Sequence, residues 1–315
     1  MLFIIGILLR LPLFFKSPEP LTKKMDSYLY LSFVEALKPI AVFIPSVYVI
    51  IAFLLVFLQA YLLTIFINNN RLMNKANFLP GMAYILVTSL LPEFTMLSSP
   101  LIVSALFITL FIIIFSAHNQ KITRGSIFNT GIIAGFTILI FTPSLFFLIW
   151  VYVALAILRP FKLNEWLILL LGVLTPYYFF TIILYLNDSF SWKYFYNGLS
   201  ASVRSEKYTI WHAGGLFLVL MPFLAGIYYT QSLSGRMLIH VRKAWNLFII
   251  YTAVCFGITF FNVGAGIENW TLVLMPIAAF HGFGYFNAEL KLYPKIVFWI
   301  TVIFVIAAQI FSGLW

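Results

Sequence analysis

Side chains able to do chemistry are scarce in this chain, so their positions are the first guide to what it does. Its 315 residues hold nine Asp and Glu, four His and one Cys. Asp26 stands where a polar stretch, KSPEPLTKKMDS, gives way to a Tyr-rich apolar one, YLYLSF. A carboxylate at such a junction can serve as a general base or a metal ligand. It can equally balance neighbouring lysines, as in the near pairs Glu19 with Lys23 and Glu35 with Lys38. Arg10 sits inside an apolar run, GILLRLPLFF. A cation there is expensive and points to function, and Pro12 beside it can kink the helix and free a carbonyl. The competing reading is that Arg10 snorkels to a nearby interface, because the run is short. Arg204, Glu206, Lys207 and His212 gather just before another apolar run. Two cations and an imidazole suit a lipid-linked phosphate or pyrophosphate; ordinary headgroup contact is the alternative. Glu268 and Asn269, in the Gly-rich turn NVGAGIEN, read as structural, His281 as polar packing and His240 as interfacial. Cys255 lies in an apolar stretch, so there is no disulfide framework, and the dispersed His residues form no HExxH pair.

These groups need a scaffold, and composition dictates its kind. The chain is 63% hydrophobic and 9% charged, with a mean hydropathy of +1.03. A soluble domain carries roughly 25% charge, so the solvent around this chain is lipid. Apolar runs lie near 1–15, 39–67, 79–92, 100–117, 127–142, 143–158, 165–186, 211–230, 246–262, 270–287 and 296–313. A span needs ~20 residues, and four of these runs are short on that measure. The expected fold is an all-α polytopic transmembrane bundle of about eleven spans, within about nine to twelve. Residues 1–315 form a single integral-membrane domain, because no loop can house a soluble one. Met1 leads into an apolar run with neither a basic start nor a small-x-small cleavage site, which reads as a retained first span.

Charge sets the orientation. A cytoplasmic N-terminus puts Arg71, Lys75, Lys121, Arg124, Arg159, Lys162, Arg236, Arg242, Lys243, Lys291 and Lys295 on inner loops, and every inner loop is then basic. The outer side takes Glu19, Asp26, Glu35, Glu93, Asp188, Glu206 and Glu268, most of the acids, although acids contribute little to topology. Two outer loops, about 16–38 and 187–210, exceed a simple turn; their aromatic content is that of interfacial segments. The net charge of +10 fits loops that hold topology and meet membrane lipids. No basic run is long enough for a nucleic-acid tail, which excludes nucleic acid as a partner. Ionisable groups are nearly absent from span centres and no internal repeat is visible, which counts against a transporter.

The stretch Arg10-Leu11-Pro12 followed by Asp26-Ser27-Tyr28 resembles the N-terminal signature of the GT-C glycosyltransferases, multispan enzymes that use polyprenyl-phosphate sugars. That resemblance implies Asp26 as the catalytic base or metal-linked carboxylate. Arg10, Arg204, Lys207 and His212 would then bind the lipid phosphate. Ser27 replaces the family's second acid, so Glu19 or Glu35 would have to serve beside a divalent cation, or the enzyme would work without a metal. Five further stretches are similar to an uncharacterised family of bacterial multispan proteins: Phe141-Thr142-Pro143-Ser144, Arg159-Pro160-Phe161, Glu165-Trp166, Thr175-Pro176-Tyr177 and Arg242-Lys243-Ala244-Trp245-Asn246. This second resemblance implies a bacterial inner (cytoplasmic) membrane and brings no mechanism. Some members carry a carotene-cleavage name, but four scattered His residues do not argue for a non-haem iron site. The leading expectation is therefore transfer of a sugar from a polyprenyl-phosphate donor at the outer face. The alternative is a non-enzymatic subunit, a scaffold for other membrane proteins of an envelope complex.

Overall fold

The computed structural model describes residues 2–23, 26–116, 124–196, 209–261 and 266–311. These residues are all-α, with no strand among them. The helices are α1 (Leu2–Lys16), α2 (Tyr28–Phe43), α3 (Val47–Asn69), α4 (Leu79–Thr88), α5 (Ser99–Ser116), α6 (Arg124–Ile140), α7 (Phe147–Leu158), α8 (Leu163–Leu186), α9 (Lys193–Tyr196), α10 (Ile210–Leu233), α11 (Ile239–Phe261), α12 (Thr271–Asn287) and α13 (Leu292–Phe311). Each apolar run marked in the sequence contains a helix among its described residues, while α2 begins within the first of the two longer loops and α9 lies in the second. Among the described residues six helices, α3, α5, α8, α10, α11 and α13, are long and apolar enough to cross a membrane. The chain is a helical membrane protein.

Charge and connectivity distinguish the two ends of the bundle. The loop end carries the α1–α2 connection; the basic end carries Arg71, Arg159 and Arg236. Helix α2 stays at the loop end. The Ser17 and Ser46 hydroxyls, which bracket it, lie 3.1 Å apart, and the Ser27 hydroxyl before it donates to the carbonyl of Leu139. Its Tyr30 and Val34 are buried one helical turn apart, while Glu35 and Lys38 face outward. That is the amphipathic pattern of an interfacial helix.

Helix α12 is the axis of the bundle. Its residues from Thr271 to Tyr285 are all buried, packed between α4 and α10. Helix α13 buries only Thr301, Val305 and Ala308, one narrow stripe, and turns the rest outward as a lipid-facing helix must. Backbones approach closely where residues are small. Gly131 and Gly135, four apart on α6, and Gly172 on α8 let those helices touch; a Cβ on Gly131 would collide with the Leu169 carbonyl oxygen. The phenylalanines fill the space between α5, α7 and α11. Phe107 stacks on Phe147 with ring centroids 3.6 Å apart, and Phe111 on Phe248 at 4.4 Å.

Candidate functional site

Three non-helical stretches converge at the loop end. The first, residues 17–23 with 26 and 27, begins where Ser17 leaves α1 with a positive φ of 44° and continues through Pro18 and Pro20. The second, 89–98, follows α4, which at ten residues rises only ~15 Å, half a bilayer. Leu91 is extended ahead of Pro92, as the residue before a proline prefers, and a 3-10 turn at Pro92–Phe94 follows. The third is a 3-10 turn at Ile267–Trp270 after Gly266, packed against the second. Most of 88–99 is buried. Irregular backbone at membrane depth persists only where protein or a cavity surrounds it.

Here that protein is a polar cluster. The Leu21 N–H donates to the Leu97 carbonyl at 2.9 Å, and the Tyr30 hydroxyl donates to the carbonyls of Leu21 and Leu97 at 2.9 and 3.2 Å. These bonds fasten the first stretch to the second. Asp26 accepts from the Lys23 N–H at 2.7 Å on one oxygen and from the Ser99 hydroxyl at 3.3 Å on the other. The Lys23 ammonium lies 2.5 Å from Glu268, a pair with little exposure on either side. Burial pushes the Asp26 carboxyl up to about 6. The Lys23 N–H and Ser99 hydroxyl oppose the rise, the Glu268 charge adds to it, and the Lys23 charge again opposes it.

A second polar point faces the start of α10. Thr209 caps that helix, and its backbone N–H donates to His212 Nδ1 at 3.0 Å. An Nδ1 that accepts leaves the proton on Nε2, which lies 3.4 Å from Glu93 Oε1. The other Glu93 oxygen, the Ser98 hydroxyl, the Asn269 amide nitrogen and the Thr271 hydroxyl are buried with no hydrogen-bond partner among the described residues. Such groups usually meet water or a ligand.

Beside this point lies a cavity of about 460 Å³ between α10, the end of α11 and the start of α12. Its walls include Val219, Leu220, Phe256, Phe260, Leu274 and Ile277, with Thr209 and His212 as the polar members of the lining. An apolar chamber with a few convergent polar groups at one side suits an amphiphile.

No family model, no curated protein and no solved structure matches this chain.

The candidates singled out in the sequence fare differently. Asp26 stands in the polar cluster but is not among the residues lining the cavity. His212 lines it. Arg10 neither snorkels nor reaches the cavity. It is 2% exposed and donates to Thr88 Oγ1 at 2.6 Å and to Ser89 Oγ at 3.3 Å. It sits at the C-terminus of α4, where the helix dipole favours a cation. Glu19 and Glu35 are exposed, and the carboxylate whose charge acts on Asp26 is Glu268 instead. The expected pair of Glu19 with Lys23 is replaced by Lys23 with Glu268, which ties the Ile267–Trp270 turn to the α1–α2 connection. Arg204, Lys207 and Glu206 lie outside the described residues. His281 ties α12 to α10 through the Val219 carbonyl at 2.8 Å, the polar packing expected of it.

Sequence reasoning passed over Glu93, Lys23 and Ser99 as site residues. One signal existed: Glu93 is the sole acid between residues 79 and 117, and a carboxylate in so apolar a stretch is retained only when something holds it.

The divalent cation that the GT-C resemblance allows does not fit the residues present. Among the described residues no three His, Cys, Asp or Glu gather as a ligand set. Glu268 is already committed to Lys23.

Proposed function

We propose that this protein is a membrane transferase of GT-C type that takes a lipid-linked sugar at the loop end. In this reading the bundle has about eleven spans, a range that follows from ~20 residues per crossing. The N-terminus is cytoplasmic, so the loop end faces outward from a bacterial inner membrane. The observation that carries the reading is the apolar cavity of about 460 Å³ with His212 at its polar side. A polyprenyl chain occupies the cavity, and its phosphate lies toward His212. The acceptor hydroxyl attacks the sugar's anomeric carbon, the bond to the polyprenyl phosphate breaks, and the hydroxyl proton passes to Asp26. A carboxyl held near 6 is mostly ionised at neutral pH and is still basic enough for that role.

The test fills the cavity. Leu220→Trp places an indole in the chamber; the variant should fold with an unchanged Tm, while transfer from a polyprenyl-phosphate sugar in proteoliposomes falls with a raised KM. Unchanged transfer would discard the cavity as the donor site. Orientation is checked separately. In a Cys255→Ala background, Glu19→Cys should react with an impermeant thiol reagent in intact cells and Lys162→Cys should not; the reverse pattern would invert the topology.

A second reading has one observation behind it. Both Asp26 oxygens are bonded within the loop cluster, and Asp26 does not line the cavity. A non-enzymatic subunit, with the cluster serving only to brace broken helices, accounts for that. Full function of Asp26→Asn in cells would favour it.

A further inference from the structure

The opposite, basic end of the bundle has a cavity of its own. It measures about 300 Å³ and lies between the α3–α4 connection, the α10–α11 connection and the end of α12. Arg71, Asn74 and Arg236 line it, over a floor that includes Leu72, Val241 and Phe283. Leu72 and Val241 are 2% and 6% exposed, so the floor belongs to the core.

Membrane proteins place arginines at this end to set topology, and topology asks only that they be present. Four features exceed that requirement. The two arginines come from distant parts of the chain yet share one concave site. Neither has a carboxylate partner among the described residues, whereas Arg159 at the same end lies 3.4 Å from Glu165. Arg71 is also held in place. The Asn68 side chain bonds the backbone of Asn77 in both directions, at 3.0 and 3.1 Å, and so closes the α3–α4 connection.

The fourth feature is the backbone. Helix α3 ends in a complete Schellman motif, with Leu72 N–H to the Ile67 carbonyl at 3.0 Å and Arg71 N–H to the Asn68 carbonyl at 3.1 Å. Arg71 occupies the position after the cap, with φ of 50°. Glycine is the usual residue there because it alone adopts that conformation without strain. An arginine at a position that favours glycine is a backbone outlier that points toward a use for its side chain.

We propose that Arg71 and Arg236 form a binding site for a phosphate-bearing anion. The guanidinium fork matches a phosphate's oxygens two at a time. A phosphate monoester from the aqueous phase and the headgroup of an anionic lipid share that chemistry.

Arg71→Gly gives a test in which folding and binding move apart. Glycine relieves the backbone strain, so the variant's Tm in chloride should equal or exceed that of the wild type. Unfolding is followed in neutral detergent with inorganic phosphate against sodium chloride at matched ionic strength. It is followed again in phosphatidylcholine nanodiscs with and without phosphatidylglycerol. The wild type should gain Tm in at least one arm. Arg71→Gly and Arg236→Gln should each weaken the half-saturating concentration about tenfold or more, while Lys162→Gln leaves it unchanged. A gain with phosphate identifies an aqueous ligand; a gain only with phosphatidylglycerol identifies a lipid headgroup. No gain in either arm, or a gain that both arginine variants retain, overturns the proposal. If Arg71→Gly does not fold, Arg236→Gln decides alone.

Discussion

The loop end and the basic end of this bundle both concentrate charge, and they handle it in opposite ways. At the loop end the charges of the polar cluster are half-buried or buried and answered from within: Lys23 by Glu268, and Asp26 by a backbone N–H and the Ser99 hydroxyl. At the basic end Arg71 and Arg236 line an open cavity and meet no carboxylate among the described residues. Buried charge must be compensated or it unfolds the protein. Charge at a wet rim need not be, and remains available to a ligand. The lesson is that an ionisable residue in a membrane protein is read from its partners. Arg10 looks functional in the sequence, yet two hydroxyls and a helix terminus hold it.

The largest expected effect separates catalysis at one end from binding at the other. Asp26→Asn keeps the shape and removes the base, so transfer in proteoliposomes should fall ~10²–10⁴-fold with Tm held or raised. Arg71→Gly should leave transfer at the wild-type rate. Equal losses in both variants would erase the distinction between the ends.

Next comes charge pairing. Lys23→Met strands Glu268, 10% exposed, without its cation, and should destabilise by about 3 kcal/mol. Lys162→Met at the basic end removes a pair whose lysine is 63% exposed and should change stability by less than about 1 kcal/mol. Denaturant unfolding of both variants gives the contrast directly.

The pH dependence is comparable or smaller. The Asp26 carboxyl is raised from 3.8 to about 6, so the folded protein holds that proton more tightly than the unfolded chain. The burial penalty is present above pH ~6 and disappears as the pH falls toward ~4, a gain of about 3 kcal/mol at most. Asp26→Asn should lack this gain, seen as a flatter Tm profile than the wild type's over that window. If Asp26 is the base, the transfer rate should also climb through a midpoint near pH 6.

The smallest effect concerns the exposed acids. Glu19→Gln and Glu35→Gln should each alter stability by no more than about 0.5 kcal/mol and leave transfer unchanged. A large loss from either would restore it as the companion of Asp26 in place of Glu268.

Much of the fold was legible in the sequence. Apolar runs in a chain this poor in charge have no stable state but helices in lipid, since each backbone group must find a partner inside its own segment. The residue types of loop 16–38 also marked an amphipathic helix there, because the buried positions Tyr30 and Val34 of α2 are set by local periodicity. Local pattern could not show that Glu268 would reach Lys23, or that α4 would stop halfway and leave 89–98 as buried, non-helical chain.

What the sequence by itself determined is the solvent, the helical class and the approximate position of most helices. Those follow from transfer free energies and local propensity, which act within one segment at a time. Only the tertiary structure decided which polar groups meet. The Lys23–Glu268 pair and the pairing of Arg71 with Arg236 in one cavity join residues far apart in the chain. The order in which helices pack around α12 fixes them, and that order depends on close approaches such as Gly226 against the Phe280 carbonyl, which no single segment encodes.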